Sequence, residues 1–176
     1  DKDRCVKCPA GKWSNTLEAS SISTCISCVA GKFSALLGAK EESNCQDCEA
    51  GTYNDEEGGD HGSSCLECEI GKYSTSGQGR TVPCDQCLAG YFNIQRKSID
   101  PCDSCPLGLF QPINGSSQCD ACFPGAFNKN LGSGSCLKCP VGFSQGTKGE
   151  TKCFFCKKGR HQPDKGATDC LKCIPG

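Results

Sequence analysis

Ten Cys-x-x-Cys pairs recur along the chain, and their spacing constrains the fold more than any other feature of the sequence. The spacing shortens from 20 to 17 residues and then holds, with pairs beginning at Cys5, Cys25, Cys45, Cys65, Cys84, Cys102, Cys119, Cys136, Cys153 and Cys170. A repeat this short cannot bury a core of its own, so each unit must pack against its neighbours. The sequence therefore predicts one continuous array over residues 1–176.

Each pair is followed by the same short motif. A glycine stands three residues after the second cysteine, and in most units an aromatic residue follows two positions later, before Ser, Asn or Gln. This motif predicts one short strand, a turn, and a second extended segment leading into the next cysteine, hence an all-β fold. We expect the repeat core to consist of the aromatic side chains: Trp13, Phe33, Tyr53, Tyr73, Phe92, Phe110, Phe127 and Phe143.

The cysteine pairs are compatible with two chemistries, four-cysteine zinc sites and disulfides. Zinc would impose an alternation between odd and even links, yet every link between pairs looks alike, and neither His61 nor His161 has ligand spacing. Twenty cysteines in 176 residues, with only 29 Leu, Ile, Val and Phe, are typical of a secreted disulfide scaffold. The composition therefore favours disulfides formed in an oxidising compartment, with no metal and no cofactor.

The uniformity of the repeat favours one connectivity, which joins the second cysteine of each pair to the first of the next. The predicted bonds are Cys8–Cys25, Cys28–Cys45, Cys48–Cys65, Cys68–Cys84, Cys87–Cys102, Cys105–Cys119, Cys122–Cys136, Cys139–Cys153 and Cys156–Cys170. The alternative joins first to first, or second to second, across units, and the spacing leaves it open. In the favoured connectivity Cys5 and Cys173 are unpaired, so we expect each to bond outside this segment and the chain to belong to a longer array.

The segments "CPAGKWS", "CISCVAGKFS" and "CQDCEAGTYN" resemble the ephrin-receptor-like cysteine-rich repeat and, more distantly, the short modules of tumour necrosis factor receptors. The resemblance implies a tandem stack of about nine small disulfide-bonded β-loops, elongated into a solenoid-like rod. In the short receptor modules a disulfide encloses the Gly-x-aromatic segment, which agrees with the favoured connectivity. Nothing in the sequence matches a kinase domain, a death domain or a receptor's ligand-contact residues.

Three further segments carry candidate sites. Asp55, Glu56, Glu57 and Asp60 form an acidic loop that could hold calcium or remain solvated. The sequon at Asn114, on an Asn-Gly turn, predicts an exposed glycosylation site. The basic segment 157–161, "KKGRH", is either a solvated loop or a site for a sulfated sugar or an acidic partner.

The sequence predicts an extracellular or cell-surface protein of the secretory pathway that is not an enzyme. The net charge of −1 gives no general attraction to nucleic acid, and no apolar run is long enough for a membrane span. A structural role as a stiff filament, appendage component or spacer is favoured, with other copies or other extracellular proteins as partners. A ligand-binding receptor or adhesion ectodomain is the alternative.

Overall fold

The computed structural model describes residues 5–17, 20–75 and 77–174. These residues form nine antiparallel two-stranded hairpins, so the predicted all-β, disulfide-rich fold is confirmed. Hairpins 1 to 9 pair β1 (Lys12–Trp13) with β2 (Ile26–Ser27), β3 (Lys32–Phe33) with β4 (Gln46–Asp47), β5 (Thr52–Tyr53) with β6 (Leu66–Glu67), β7 (Lys72–Tyr73) with β8 (Asp85–Gln86), β9 (Tyr91–Phe92) with β10 (Asp103–Ser104), β11 (Leu109–Phe110) with β12 (Asp120–Ala121), β13 (Ala126–Phe127) with β14 (Leu137–Lys138), β15 (Phe143–Ser144) with β16 (Phe154–Phe155), and β17 (Arg160–His161) with β18 (Leu171–Lys172).

The first strand of each hairpin follows the motif glycine, as expected, but the second strand lies elsewhere than predicted. It consists of the two residues between the cysteines of the next pair, after the closing cysteine rather than before it. In hairpin 2, Lys32 lies opposite Asp47, and Phe33 opposite Gln46. The residues before the closing cysteine form a 3₁₀ turn or a bend instead of an extended segment.

Short 3₁₀ helices explain why the repeat shortens along the chain. Hairpins 1 to 3 contain one each, at Ile22–Thr24, Glu42–Asn44 and Gly62–Ser64. The disulfide-bonded cysteines of these hairpins are 17 residues apart, against 14 in hairpins 6 to 9. The difference of three residues is one turn of 3₁₀ helix. The longer repeats therefore accommodate their extra residues without changing the hairpin.

The chain divides into two compact units. One comprises Asp1–Asp85 and Gln95–Pro101, and the other comprises Gln86–Ile94 and Cys102–Gly176. Both have the same kind of core. Among the described residues, the buried apolar side chains are twelve cysteines and Ala39, and no Leu, Ile, Val or Phe is buried. With so little apolar burial, the fold depends on cross-links and on backbone hydrogen bonds between hairpins.

Candidate functional site

Disulfides close every hairpin. They join Cys8–Cys25, Cys28–Cys45, Cys48–Cys65, Cys68–Cys84, Cys87–Cys102, Cys105–Cys119, Cys122–Cys136, Cys139–Cys153 and Cys156–Cys170, with Cα–Cα distances of 5.6–5.8 Å. The cysteine that opens each loop is buried in all nine hairpins. Cys5 and Cys173 are free and exposed. Each loop of this length stabilises the fold by roughly 3 kcal/mol in the chain-entropy account.

Backbone hydrogen bonds between consecutive hairpins form the second structural element, which we call the junction. Between hairpins 7 and 8, Gly125 N–H donates to Gln145 O at 2.7 Å, and Asn128 N–H donates to Glu150 O at 3.1 Å. In the opposite direction, Gly149 N–H donates to Cys122 O at 2.9 Å. Each such bond contributes about 1 kcal/mol, so one junction is comparable in strength to one disulfide.

The junction recurs with the same geometry in both units. In each case the left-handed residue of one loop turn donates its N–H to the carbonyl of the cysteine that opens the preceding loop. These bonds run from Gly38 to Cys8, Gly58 to Cys28, Gly79 to Cys48 and Lys97 to Cys68 in one unit, and from Gly115 to Cys87, Gly132 to Cys105, Gly149 to Cys122 and Gly166 to Cys139 in the other.

The motif glycine contacts the hairpin that lies two positions later in the chain, and the sequence did not predict this contact. At Gly125 of hairpin 7, a methyl group in place of the α-hydrogen would overlap the carbonyl oxygen of Gly166 in hairpin 9. Gly31 of hairpin 2 has the same relation to Gly79 of hairpin 4. Within each unit, the motif glycine of a hairpin therefore contacts the loop turn of the second hairpin after it, as in hairpins 1 to 3 and 5 to 7.

The aromatic side chains do not form the buried core that the sequence predicted. Trp13, Phe33, Tyr53, Tyr73, Phe92, Phe110, Phe127 and Phe143 are all partly exposed. The ring of Phe33 lies beside Gly62 of the next hairpin, and the ring of Phe143 lies edge-on to Phe155 of its own hairpin. A two-residue strand is too short for an aromatic ring to be enclosed on all sides, because solvent reaches it past both strand ends.

The buried position is instead the polar residue three positions after the motif glycine. These residues are Ser34, Asn54, Ser74, Asn93, Gln111, Asn128, Gln145 and Gln162. A glutamine spans its own loop: Gln111 Nε2 donates to Gln118 O at 2.7 Å, and its Oε1 accepts from Ile113 N–H at 3.0 Å. Asn128 Nδ2 reaches the preceding hairpin and donates to Leu109 O at 2.6 Å. Within the described residues, no buried side-chain polar atom lacks a hydrogen-bond partner.

Arg80 is a buried cation that sequence reasoning missed. Its guanidinium donates to Val82 O at 2.8 Å and to Pro83 O at 2.6 Å, and it lies 3.3 Å from Asp85 Oδ2. Arg80 thereby satisfies carbonyls in the loop that Cys68 and Cys84 close, where the buried position holds only a small serine, Ser74. No local motif distinguishes such an arginine from a solvated one.

Lys97 is the one described residue other than glycine with a left-handed backbone, at φ 57°. Its ammonium forms an ion pair with Glu49 at 2.5 Å. The hydrogen bond and the positive charge of Lys97 lower the pKa of Glu49, and the same hydrogen bond raises the pKa of Lys97. The ion pair borders a shallow groove of about 300 Å³ that Phe33 and Thr52 also line.

The acidic loop, for which the sequence left calcium binding and solvation both open, is exposed. Asp55, Glu56, Glu57 and Asp60 are all exposed on one turn. Across residues 5–17, 20–75 and 77–174, no group of three or more His, Cys, Asp or Glu side chains is placed to hold a metal ion. A side chain at the start of this turn bonds to the backbone of the turn: Asn54 Oδ1 accepts a hydrogen bond from Glu56 N–H at 3.1 Å.

Asn114 is exposed on the turn that the sequence indicated. Its Oδ1 accepts a hydrogen bond from Ala89 N–H of the preceding hairpin at 2.8 Å. The side-chain nitrogen, which is the atom a glycan would occupy, is not used in that bond.

These features define a class: a tandem array of disulfide-closed β-hairpins joined by backbone hydrogen bonds. Residues 94–133 and 113–151 match the model of the family described as tyrosine-protein kinase ephrin type A/B receptor-like. The predicted resemblance to this cysteine-rich repeat is therefore confirmed over those residues. No curated protein was found to match the chain.

The match and the disulfides together indicate an extracellular or secreted protein. The matched repeat is a non-catalytic type of ectodomain module. Among the described residues, no helix combines the length and the apolarity that a membrane crossing requires.

Proposed function

We propose that residues 1–176 form one continuous, stiff array that serves as an extracellular structural element, such as a filament component, a cell-surface appendage component or a spacer. The observation that carries this proposal is the junction, which repeats with the same backbone bonds along each unit. Bending the array at any junction would break hydrogen bonds worth about 1 kcal/mol each. A stiff connection of this kind is what a spacer or filament requires.

Two features support a structural role over a catalytic one. Most of the buried side chains are disulfide-bonded cysteines and hydrogen-bonded amides, which hold shape rather than react. The opening cysteine of every disulfide is buried, which protects that sulfur from attack by a reducing thiol. The proposed role requires no catalytic residue and no cofactor. A glycan on Asn114 would project from the exposed turn and increase resistance to proteases.

The alternative is a ligand-binding receptor or adhesion ectodomain, which the description of the matched family favours. Electron microscopy of the material at native salt distinguishes the two functions. A structural element is expected to show repeated end-to-end or side-to-side contacts between copies. A receptor ectodomain is expected to be a monodisperse monomer that binds one partner, and that result would overturn the proposal.

A further inference from the structure

We propose that hairpin 9 binds a sulfated polysaccharide through Lys157, Lys158, Arg160 and Lys172, which we call the basic cluster. The inference depends on an extracellular location and not on the structural role proposed above. It follows from the placement of four cations on one hairpin, from the stability that this placement costs, and from the scarcity of neutralising carboxylates.

Three of the four cations lie on a single tight turn. Arg160 N–H donates to Lys157 O at 3.0 Å, which makes Lys158 and Gly159 the corner residues. Gly159 has the left-handed backbone, with φ 79°, that the second corner of such a turn requires. All four residues are exposed. The turn therefore holds the stems of Lys157, Lys158 and Arg160 close together with their charged groups in solvent.

The fourth cation completes a like-charged pair across the hairpin. Arg160 lies directly opposite Lys172, at the position where hairpin 2 pairs Lys32 with Asp47. In hairpin 2 the ammonium and carboxylate are 2.8 Å apart. Like charges at directly opposite positions destabilise a hairpin, whereas opposite charges stabilise it. The like-charged pair of Arg160 and Lys172 therefore lowers the stability of hairpin 9 while it concentrates positive charge there.

The basic cluster is only weakly neutralised within the protein. Among the described residues, Lys157, Lys158 and Lys172 form no ion pair, and Arg160 approaches one carboxylate, that of the exposed Asp169, at 3.9 Å. The guanidinium of Arg160 also donates to Cys170 O at 2.8 Å, which fixes its position.

Acidic residues at the corresponding positions of other hairpins are paired. They are Asp47, Glu49, Glu67 and Glu69, and their partners are Lys32, Lys97, Arg96 and Lys72 respectively. Among the described residues, Lys12 and Lys138 at these positions form no ion pair, but each is the only charged residue at these positions in its hairpin. The excess of positive charge is thus a property of hairpin 9 and not of these positions in general.

The position of Lys157 is on the surface in most of the preceding hairpins. The residue after the opening cysteine, which is Lys157 in hairpin 9, is exposed in seven of the eight preceding hairpins. Neighbouring hairpins therefore leave this position open to solvent.

The chemistry of the basic cluster favours a linear, multiply sulfated ligand over a single small anion. Exposed ion pairs contribute about 1 kcal/mol or less each, and all four cations of the basic cluster are exposed. A chain with repeated sulfates can engage all four cations at once, so that several weak contacts add. Sulfated polysaccharides are the extracellular polymers with this charge pattern.

Heparin affinity of the full chain tests the proposal, with the triple variant Lys157→Gln, Lys158→Gln and Lys172→Gln. We expect heparin binding to weaken about tenfold or more, because three ionic contacts are lost. The matched control replaces the exposed Lys129, Lys148 and Lys165, which lie on separate loops of the same unit, by glutamine and removes the same net charge. Equal weakening in the two variants would show that net charge alone attracts heparin and would overturn the proposal.

Two further measurements sharpen the test. Hyaluronan, which carries carboxylates without sulfates, and polyglutamate are expected to bind much more weakly than heparin. Equal binding of either would contradict a sulfated-polysaccharide site.

The variant Lys172→Asp should form an ion pair with Arg160, like the Lys32–Asp47 pair of hairpin 2. The variant should therefore be more stable than the wild type while binding heparin less. Unchanged heparin binding by this folded variant would also contradict the proposal.

Discussion

The contact between hairpins 7 and 9 can be tested by replacing Gly125 with alanine. Alanine at this left-handed position, φ 84°, costs about 1–2 kcal/mol whatever surrounds it. Its methyl group would also overlap the carbonyl oxygen of Gly166, so the turn of hairpin 9 must retreat by about 1 Å. That retreat breaks the bonds Gly166 N–H to Cys139 O and Gln145 N–H to Ala167 O, for about 2 kcal/mol more.

Gly159→Ala is the matched control, because it isolates the backbone cost from the steric cost. Gly159 has a similar φ of 79°, but no atom lies within 4 Å of the position that a methyl group would take. We therefore expect a loss of about 1–2 kcal/mol for Gly159→Ala and about 3–4 kcal/mol for Gly125→Ala.

Native-state hydrogen exchange of the Gly166 and Gln145 amides measures this difference locally. A difference of about 2 kcal/mol corresponds to roughly 30-fold less protection in Gly125→Ala than in Gly159→Ala. Equal protection in the two variants would refute the reasoning, since it would mean that hairpin 9 does not sit against Gly125.

Three further predictions concern other contacts. Arg80→Ala should lower the free energy of unfolding by about 2–4 kcal/mol, because it leaves loop carbonyls unsatisfied; denaturant unfolding that shows no loss would contradict the assigned hydrogen bonds. The ion pair between Glu49 and Lys97 should stabilise the fold between pH 4.5 and 10.5, which are the ordinary pKa values of the two groups. This stabilisation should disappear as the pH falls through the lowered pKa of Glu49, and also as it rises through the raised pKa of Lys97. Melting temperatures of the wild type and Glu49→Gln should therefore converge at both extremes, and a constant difference would exclude this pair as the cause. A thiol reagent applied to the folded, non-reduced chain should label Cys5 and Cys173, and labelling of any other cysteine would contradict the disulfide assignment.

The repeat allowed the hairpins to be predicted because the signal is local. Gly-x-aromatic after each cysteine pair specifies a short strand, and the fixed spacing makes every unit repeat the same geometry. The second strand was misplaced because residues between two cysteines, such as Asp103 and Ser104, carry no strand pattern of their own. Their extended conformation comes from pairing with Tyr91 and Phe92.

The core was assigned to the wrong side chains for a related reason. Hydrophobicity suggested that Phe110 would be buried, but burial in a chain with so few apolar residues depends on position within the loop. Gln111 is buried because its amide reaches both a donor and an acceptor across its own loop, and hydrogen bonding offsets its desolvation. The roles of Arg80 and Lys97 depend on contacts with particular carbonyls and carboxylates, which a repeat pattern does not encode.

Small-angle X-ray scattering of the oxidised chain tests the proposed rod most directly. With nine hairpins at about 10 Å each, a stiff array is roughly 90 Å long, which gives a radius of gyration of about 26 Å. A compact domain of this length has about 16 Å, and a fully reduced, unfolded chain about 44 Å, which serves as the control. A value of about 26 Å with a rod-like cross-section is the predicted result. A value near 16 Å would contradict the proposal that the hairpins form an extended structural element.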